Sequence, residues 1–231
     1  MLAEAASAGG AGAWTPTGTT LWLKADAIVG LVDGDAVATW IDSGGANNCT
    51  QVVVVSQPVY KTGILNALPV VRFTGAFHDM NEPSLAHRTV LAVASFSAAG
   101  FTEYHGLIGG AVHIVTGVPA TTNLAKGLDA VTAAYKDGTA IPFVGGGYDW
   151  APLSGSYWLL SWILTATVTQ AGLIGRTSGG GRYWTGDIAE MLVYNSALSD
   201  ADRQKVEGYL AWKWGLQASL PVGHPYTSAP P

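Results

Sequence analysis

The stretch GDIAEMLVYNSALSDADRQKVEGYLAWKWGL, residues 186–216, contains the sharpest change of periodicity in the chain. Up to Tyr194 it is a short run of aliphatic and aromatic residues with strand composition. Beyond Ser199 the apolar residues Val206, Tyr209, Leu210 and Trp214 recur at i, i+3, i+4 and i+8, the stripe of an amphipathic helix. Ser199 stands where an N-cap belongs and Asp202 at the acidic position of a capping-box pattern. Asp200 and Asp202 complement the positive end of the helix dipole. Gly215 supplies the stop. The spacing predicts a helix over 200–214 packed on the body through its stripe, with Lys205 and Glu207 off the stripe and in solvent. The densest charge cluster of the chain is thereby read as structural.

Upstream the pattern is short strands and turns. TTLWLKAD sets Leu21 and Leu23 on one face and Trp22 and Lys24 on the other. DGD at 33–35 is a turn, Val37–Asp42 a short strand, and Asp42-Ser43-Gly44-Gly45 another turn. TQVVVVS (50–56) reads as a strand. A turn around Asn66 precedes LPVVRFTG, with Val71 and Phe73 opposite Val70 and Arg72. RTVLAVASFSA (88–98) has the composition of a strand buried on both faces. GLIGGAVHIVTG and VTAAYKDGTA read as hairpin material, with Lys136-Asp137-Gly138 as a turn. YWLLSWILTATVT (157–169) is too rich in aromatic and β-branched residues for a helix. GLIGRTSGGGRYWTGDIAEMLVYN gives two more strands around a Gly-rich turn. Ten to twelve strands with regular turns predict an all-β, two-sheet antiparallel sandwich closed by one helix.

Composition narrows the function. Only 12% of the 231 residues are charged, about half the ordinary share, and Gly is plentiful at 30 residues. So little charge suits a surface partly covered by neighbouring subunits, its own copies included. The net charge of −5, with no Lys/Arg cluster, argues against nucleic acid. MLAEAASAGGAGAW lacks the basic and apolar regions of a secretory signal. No apolar run is long enough for a membrane-spanning helix. Cys49 is alone, so no intrachain disulfide forms, and it reads as a small buried hydrophobe.

LWLKADA, DGDAVATWIDSGG, QPVYKTG…LPVVRFTG and the closing GDIAEMLVYNSALSDADRQKVEGYLAWKWGL…LPVGHPY together resemble the laminin-G-like, concanavalin A-like jelly-roll domains of bacterial surface proteins and bacteriophage virion proteins. The resemblance runs from about Thr19 to Tyr226 and is stronger at the ends than in the middle. It implies a flexible arm over 1–18, a jelly-roll β-sandwich over 19–226 and a tail over 227–231. It also implies a role in binding glycans or in joining large assemblies. No ligand contact carries over from it, since this fold hosts many functions.

Catalysis is not expected. Glycanases of this fold need two carboxylates on one sheet face. Asp187 and Glu190, three apart, point to opposite faces in a regular strand; Glu190 is expected to anchor a turn or pair with an Arg. The chain contains no G-x-S-x-G elbow, and SGGGRYW reads as a hairpin turn rather than a phosphate loop. Asp33 and Asp35 offer too few oxygens for calcium and read as turn formers. His78, Asp79, Glu82 and His87, in FHDMNEPSLAH, match no structural zinc spacing and read as a solvated loop. No cofactor or metal is expected.

Sugars are held by aromatic platforms flanked by polar side chains. Three stretches have that composition: Tyr104 with His105, Tyr148 with Asp149 and Trp150, and Arg182 with Tyr183 and Trp184. Any one aromatic among them is more often packing than platform. The expected function is a non-enzymatic structural protein of a bacteriophage particle, a head decoration, fibre or tail-associated module, with host-surface glycan as ligand class and other virion proteins as partners. The alternative is a lectin module of a bacterial surface or secreted protein, and a glycanase stands third.

Overall fold

The computed structural model describes residues 14–74, 77–97, 105–110, 113–118, 121–128, 131–144, 147–149, 155–177 and 181–231, with the side chains of 113–128, 144 and 147–149 outside the description. Its strands are β1 (Leu21–Lys24), β2 (Thr39–Trp40), β3 (Cys49–Thr50), β4 (Val59–Leu65), β5 (Leu68–Thr74), β6 (Met80–Ser95), β7 (His105–Gly109) and β8 (His113–Val118). They continue with β9 (Thr121–Leu128), β10 (Val131–Lys136), β11 (Thr139–Ala140), β12 (Phe143–Val144), β13 (Gly147–Asp149), β14 (Tyr157–Ile174) and β15 (Thr185–Tyr194), followed by helix α1 (Asp200–Trp214). That is fifteen strands among the described residues where ten to twelve are expected; the surplus comes from two- and three-residue strands too short to show a period. No described helix is long and apolar enough to cross a membrane.

The chain is mostly β with one helix, and its strands form one antiparallel hydrogen-bonded network. The path runs β12-β13-β9-β8-β7-β14-β6-β15-β5-β4, with β1 on β15, β10 on β14 and β11 on β10, and β3 on β6 and β2 on β3. Its spine is the pair of long strands β6 and β14, matched from Tyr157↔Ser95 to Ile174↔Met80. The register breaks between Ile163↔Thr89 and Val168↔His87. On one side of the break β14 bonds β10; on the other it bonds β7. A single strand thus serves two sets of neighbours.

Period-two alternation divides the buried side chains. Leu21, Leu23, Val71, Phe73, Val90, Ala92, Ala94 and Val193 join the larger core cluster. Trp22, Val70, Leu91, Val93, Leu192 and Tyr194 lie on the opposite face, under Val206, Leu210 and Trp214 of α1. The expected alternations of β1 and β5, the doubly buried run in β6 and the apolar stripe of the helix are all present. Ser199 caps α1 by accepting from Asp202 N at 3.2 Å, and Gly215 ends it in the left-handed region at φ 73°. The C-terminal segment lies against α1: Trp212 Nε1 donates to Tyr226 O at 2.8 Å, and a Cβ at Gly208 would come within 2.6 Å of the Tyr226 ring. Asn66, at φ 49° in the β4–β5 turn, donates through Nδ2 to Lys213 O and so caps the helix C-terminus.

Two expectations fail here. TQVVVVS is not a strand: only Cys49–Thr50 pairs, Val54–Ser56 is a 3-10 turn, and Val52–Val55 point into solvent. Gln51 explains it, because its side chain accepts from Val53 N and donates to Asp79, pulling the chain out of line. Glu207 is not solvated. It is fully buried, ion-paired to Arg203 at 2.6 Å, accepting from Ser161 Oγ at 2.8 Å and facing His224 Nε2 at 3.4 Å. Its partners lie on the helix, β14 and the C-terminal segment, so helical spacing alone misplaces it.

Glu190 gathers donors from four different side chains, more than any other acid among the described residues. Its carboxylate accepts from Trp22 Nε1 at 2.5 Å, Tyr209 Oη at 3.2 Å, Lys213 Nζ at 2.7 Å and Trp214 Nε1 at 2.8 Å. Burial, and then this carboxylate, hold the Tyr209 phenol far above its ordinary pKa. Glu190→Ala strands two indole N–H groups in the interior and leaves Lys213 paired with Asp26 alone. Its unfolding free energy in urea is expected to fall by about 3–5 kcal/mol.

Asp137, in the β10–β11 turn at φ 51°, accepts from Leu159 N at 2.9 Å. Burial raises its pKa from 3.8 to about 6. The folded state therefore binds the proton more tightly than the unfolded one, and stability falls as the pH rises from about 4 to about 6. Asp137→Asn keeps the turn and the hydrogen bond, so its stability is expected to be flat across that window and higher than the parent's at pH 7.

Candidate functional site

Two of the three aromatic stretches meet. Tyr183 bridges Gly106 in parallel and Arg176 in antiparallel, His105 Nδ1 lies 2.8 Å from Tyr183 O, and Arg182 O accepts from both Gly106 N and Thr177 N at 3.2 Å. Trp184 is fully buried, its ring 5.4 Å from Phe96, which also packs on His105 at 4.8 Å. Tyr104 and Trp150 lie outside the described residues. Tyr148 and Asp149 fall in β13, paired with Ala125 and Leu124 of β9.

What this junction presents is Tyr183, half-buried, with the Arg176 guanidinium 5.1 Å from its ring centre and Phe77 set edge-on at 5.4 Å. Arg176 is fixed from below by Asp79, at 3.0 Å, which is itself held by Gln51. Phe77 is 66% exposed and sits at φ 69°. A bulky side chain in the left-handed region costs on the order of 1–3 kcal/mol and marks a position whose conformation the fold imposes. Arg176 Nε and Thr177 Oγ1 are buried without a hydrogen-bond partner among the described residues. Unsatisfied buried donors of this kind call for water or a ligand. A flat exposed ring, a second ring and a fixed cation make a surface suited to the apolar face and hydroxyls of a sugar.

FHDMNEPSLAH is not a solvated loop. Met80–His87 is the start of β6, and Asp79, Glu82 and His87 are buried. His87 Nε2 lies 2.9 Å from Glu82 Oε1 and its Nδ1 lies 3.0 Å from Leu85 O, so both ring nitrogens face acceptors. Glu82 Oε2 has no partner among the described residues, and a Cβ at Gly172 would collide with it. Only glycine leaves room for the carboxylate there. Cys49 is fully buried, and burial first, then the charge of Glu82, push its thiol well above its ordinary pKa. Among the described residues no three His, Cys, Asp or Glu side chains are placed to hold a metal ion. Asp33 accepts from Lys61 Nζ and Thr62 N, and Asp35 from Val32 N, so both acids organise turns.

Asp187 and Glu190 do not point to opposite faces. The register shifts between Ile188↔Ala94 and Glu190↔Val93, a β-bulge at Ala189. Ile188 and Met191 then face the larger core, while Asp187, Ala189 and Glu190 share the helix side. Both acids are occupied there: Asp187 by Arg72 at 2.7 Å and by Tyr157 Oη, Glu190 by its four donors.

No family model matches the chain. No curated protein matches it either. Among solved structures it is similar to a Trypanosoma rangeli sialidase in complex with 2,3-difluorosialic acid, with TM-score 0.40 and 12% identity over 81% of this chain and 32% of that one. It is also similar to the Trypanosoma rangeli sialidase in complex with sialic acid, with TM-score 0.39 and 11% identity over 86% of this chain and 34% of that one. The chain spans about a third of their length. The expectation that it is no enzyme is corrected on this finding, since these similar structures are enzymes. At such similarity no activity passes to this chain. Its geometric premise, two acids on opposite faces, is overturned by the bulge.

The buried pair sets a pH response. Burial lowers the His87 pKa, but the hydrogen bond and charge of Glu82 outweigh it, leaving the pKa above its ordinary value. A raised folded pKa contributes stability below about pH 6.5 that is lost as the pH climbs through the folded value. The unfolding free energy is expected to fall as the pH rises above about 6.5. Glu82→Gln keeps a hydrogen-bond acceptor but removes the charge, and urea titrations of this variant are expected to show no such fall.

Proposed function

We propose that this chain is an attachment module of a bacteriophage particle, a head decoration, fibre or tail-associated protein, that contacts host-surface glycans through Phe77, Tyr183 and Arg176. The observation that carries the glycan contact is Phe77, an aromatic ring held in solvent by a strained backbone beside a second ring and an anchored guanidinium. Supporting placement on a particle are the low charge and the resemblance of the closing strand–helix segment to virion domains. In this reading the branched sheet is a jelly-roll sandwich of the concanavalin A type. The larger core cluster lies between its two layers, β6 and β14 pass from one layer to the other at their register break, and α1 covers one outer face.

A lectin module of a bacterial surface or secreted protein uses the same ring without a particle. Mass spectrometry of purified phage particles separates the two, since a virion module is present there in stoichiometric copies and a surface lectin is absent. The glycan contact is tested on an array of bacterial surface polysaccharides. The parent is expected to bind at least one, Phe77→Ala and Tyr183→Ala to lose about tenfold or more in affinity, and Phe77→Ala to keep its thermal stability because the ring lies largely in solvent. A flat array for the parent overturns the glycan reading.

A further inference from the structure

The four consecutive valines 52–55 are the longest uninterrupted aliphatic run that faces solvent among the described residues, at 85%, 51%, 71% and 78% exposure. Their β-branched side chains favour a strand, yet the backbone closes on itself. Val53 O accepts from Ser56 N at 2.9 Å, Val54 O from Gln57 N at 3.2 Å, and Val53 N donates to Gln51 Oε1 at 3.0 Å. Gln57 Nε2 holds Gln51 O at 2.7 Å, and Asp79 N holds Ser56 O at 3.1 Å. With these backbone groups bonded within the protein, the turn is poorly suited to adding a strand, and what it offers outward is a firm apolar ridge. An exposed apolar patch on the order of 400 Å² falls in the range of the largest patches on single chains, which are often functional.

We propose that this ridge is a self-association surface whose occupant is the same ridge of a second copy of this chain. The choice rests on charge. No residue from Ser43 to Tyr60 is charged, and Asp79, which bonds Gln51 and Ser56, is buried and paired with Arg176, so two identical ridges meet with little like-charge repulsion. A symmetric contact also requires one patch complementary to itself, which a row of identical small side chains satisfies. Two such ridges cover roughly 800 Å² in total, below the roughly 1,200 Å² of a stable specific contact, so the pairing is weak between free chains and effective where many copies are held together. The ring site at Phe77 and this ridge are separate claims, and either stands without the other.

Sedimentation equilibrium of the full chain tests it. The parent is expected to pass from monomer to dimer between roughly 10 and 500 µM, and raising NaCl from about 0.1 to 1 M is expected not to weaken the dimer. Val53→Ser/Val55→Ser is expected to remain monomeric over that range with an unchanged melting temperature, because the valines lie outside the core. Val54→Asp, which sets two like charges across the ridge, is expected to do the same. A parent that stays monomeric overturns the proposal. So does a dimer that survives in both variants, or one that salt dissolves.

Discussion

The carboxylate of Glu190 is the contact on which the arrangement of this chain turns. It is fully buried and gathers the indole of Trp22 from β1 and the phenol, ammonium and indole of Tyr209, Lys213 and Trp214 from α1. Apolar burial by Val206, Leu210 and Trp214 gives the helix its attraction to the sheet, but attraction without direction fits several registers. An acceptor-only group with four converging donors fits one. A slide of α1 by a turn leaves an ion and several donors unpaired in the interior, which costs more than the apolar contacts can restore. The bulge at Ala189 is part of the same device, because without the extra residue Glu190 would face the other side of the sheet.

The helix, its caps and its apolar stripe were legible because they rest on local spacing: Ser199 to Asp202, Val206 to Trp214, then Gly215. The same holds for Leu21/Leu23 against Trp22, and for Val71/Phe73 against Val70, where alternation is a property of the strand itself. What was not legible depends on distant partners. Glu207 looked solvated because Ser161 and His224 are not on its helix. The valines 52–55 looked like a strand because their propensity outweighs anything local, and only the grip of Gln51 on Asp79 turns the chain away. Bulges leave no mark in composition, so the shared face of Asp187 and Glu190 was hidden. Of the site, Arg182, Tyr183 and His105 were visible as an aromatic–polar composition, and Trp184 proved to be core. Phe77 and Arg176 were missed. Phe77 is conspicuous only through its backbone angle and exposure, and Arg176 only through the bridge that lays it beside Tyr183.

Low charge content acquires a structural meaning once burial is considered. At least seven charged residues, Asp42, Asp79, Glu82, Asp187, Glu190, Arg203 and Glu207, are less than 6% exposed. A chain with so few ionisable groups thus places a sizeable part of them inside, as clasps between elements far apart in sequence: Arg72 to Asp187, Arg176 to Asp79, Glu207 to Ser161 and His224. The outer surface is correspondingly poorer in charge than the composition alone indicates. Apolar features left outside, Phe77 and the valine turn above all, then stand in surroundings with little to repel a neighbour. Poor solubility is the ordinary consequence of such a surface.

That consequence is limited by how the exposed apolar groups are built. A flat β edge with the same valines would recruit further strands without end, since its unpaired N–H and C=O groups form a template. Here the valine turn bonds its own backbone, and the edge strand β4 is shielded: Gly34 N bonds Tyr60 O, Tyr60 N bonds Asp35 O, and Lys61 pairs with Asp33. Side chains alone remain available, and side-chain contacts between small convex features saturate once a partner is seated. The Phe77 ring follows the same logic, standing on a strained single residue with Arg176 and Tyr183 behind it rather than in an extended apolar face. Under the two proposals above, contact with neighbours is concentrated in two local features, one of them sealed by its own backbone hydrogen bonds. A module that must join many neighbours without polymerising needs its contacts confined in that way.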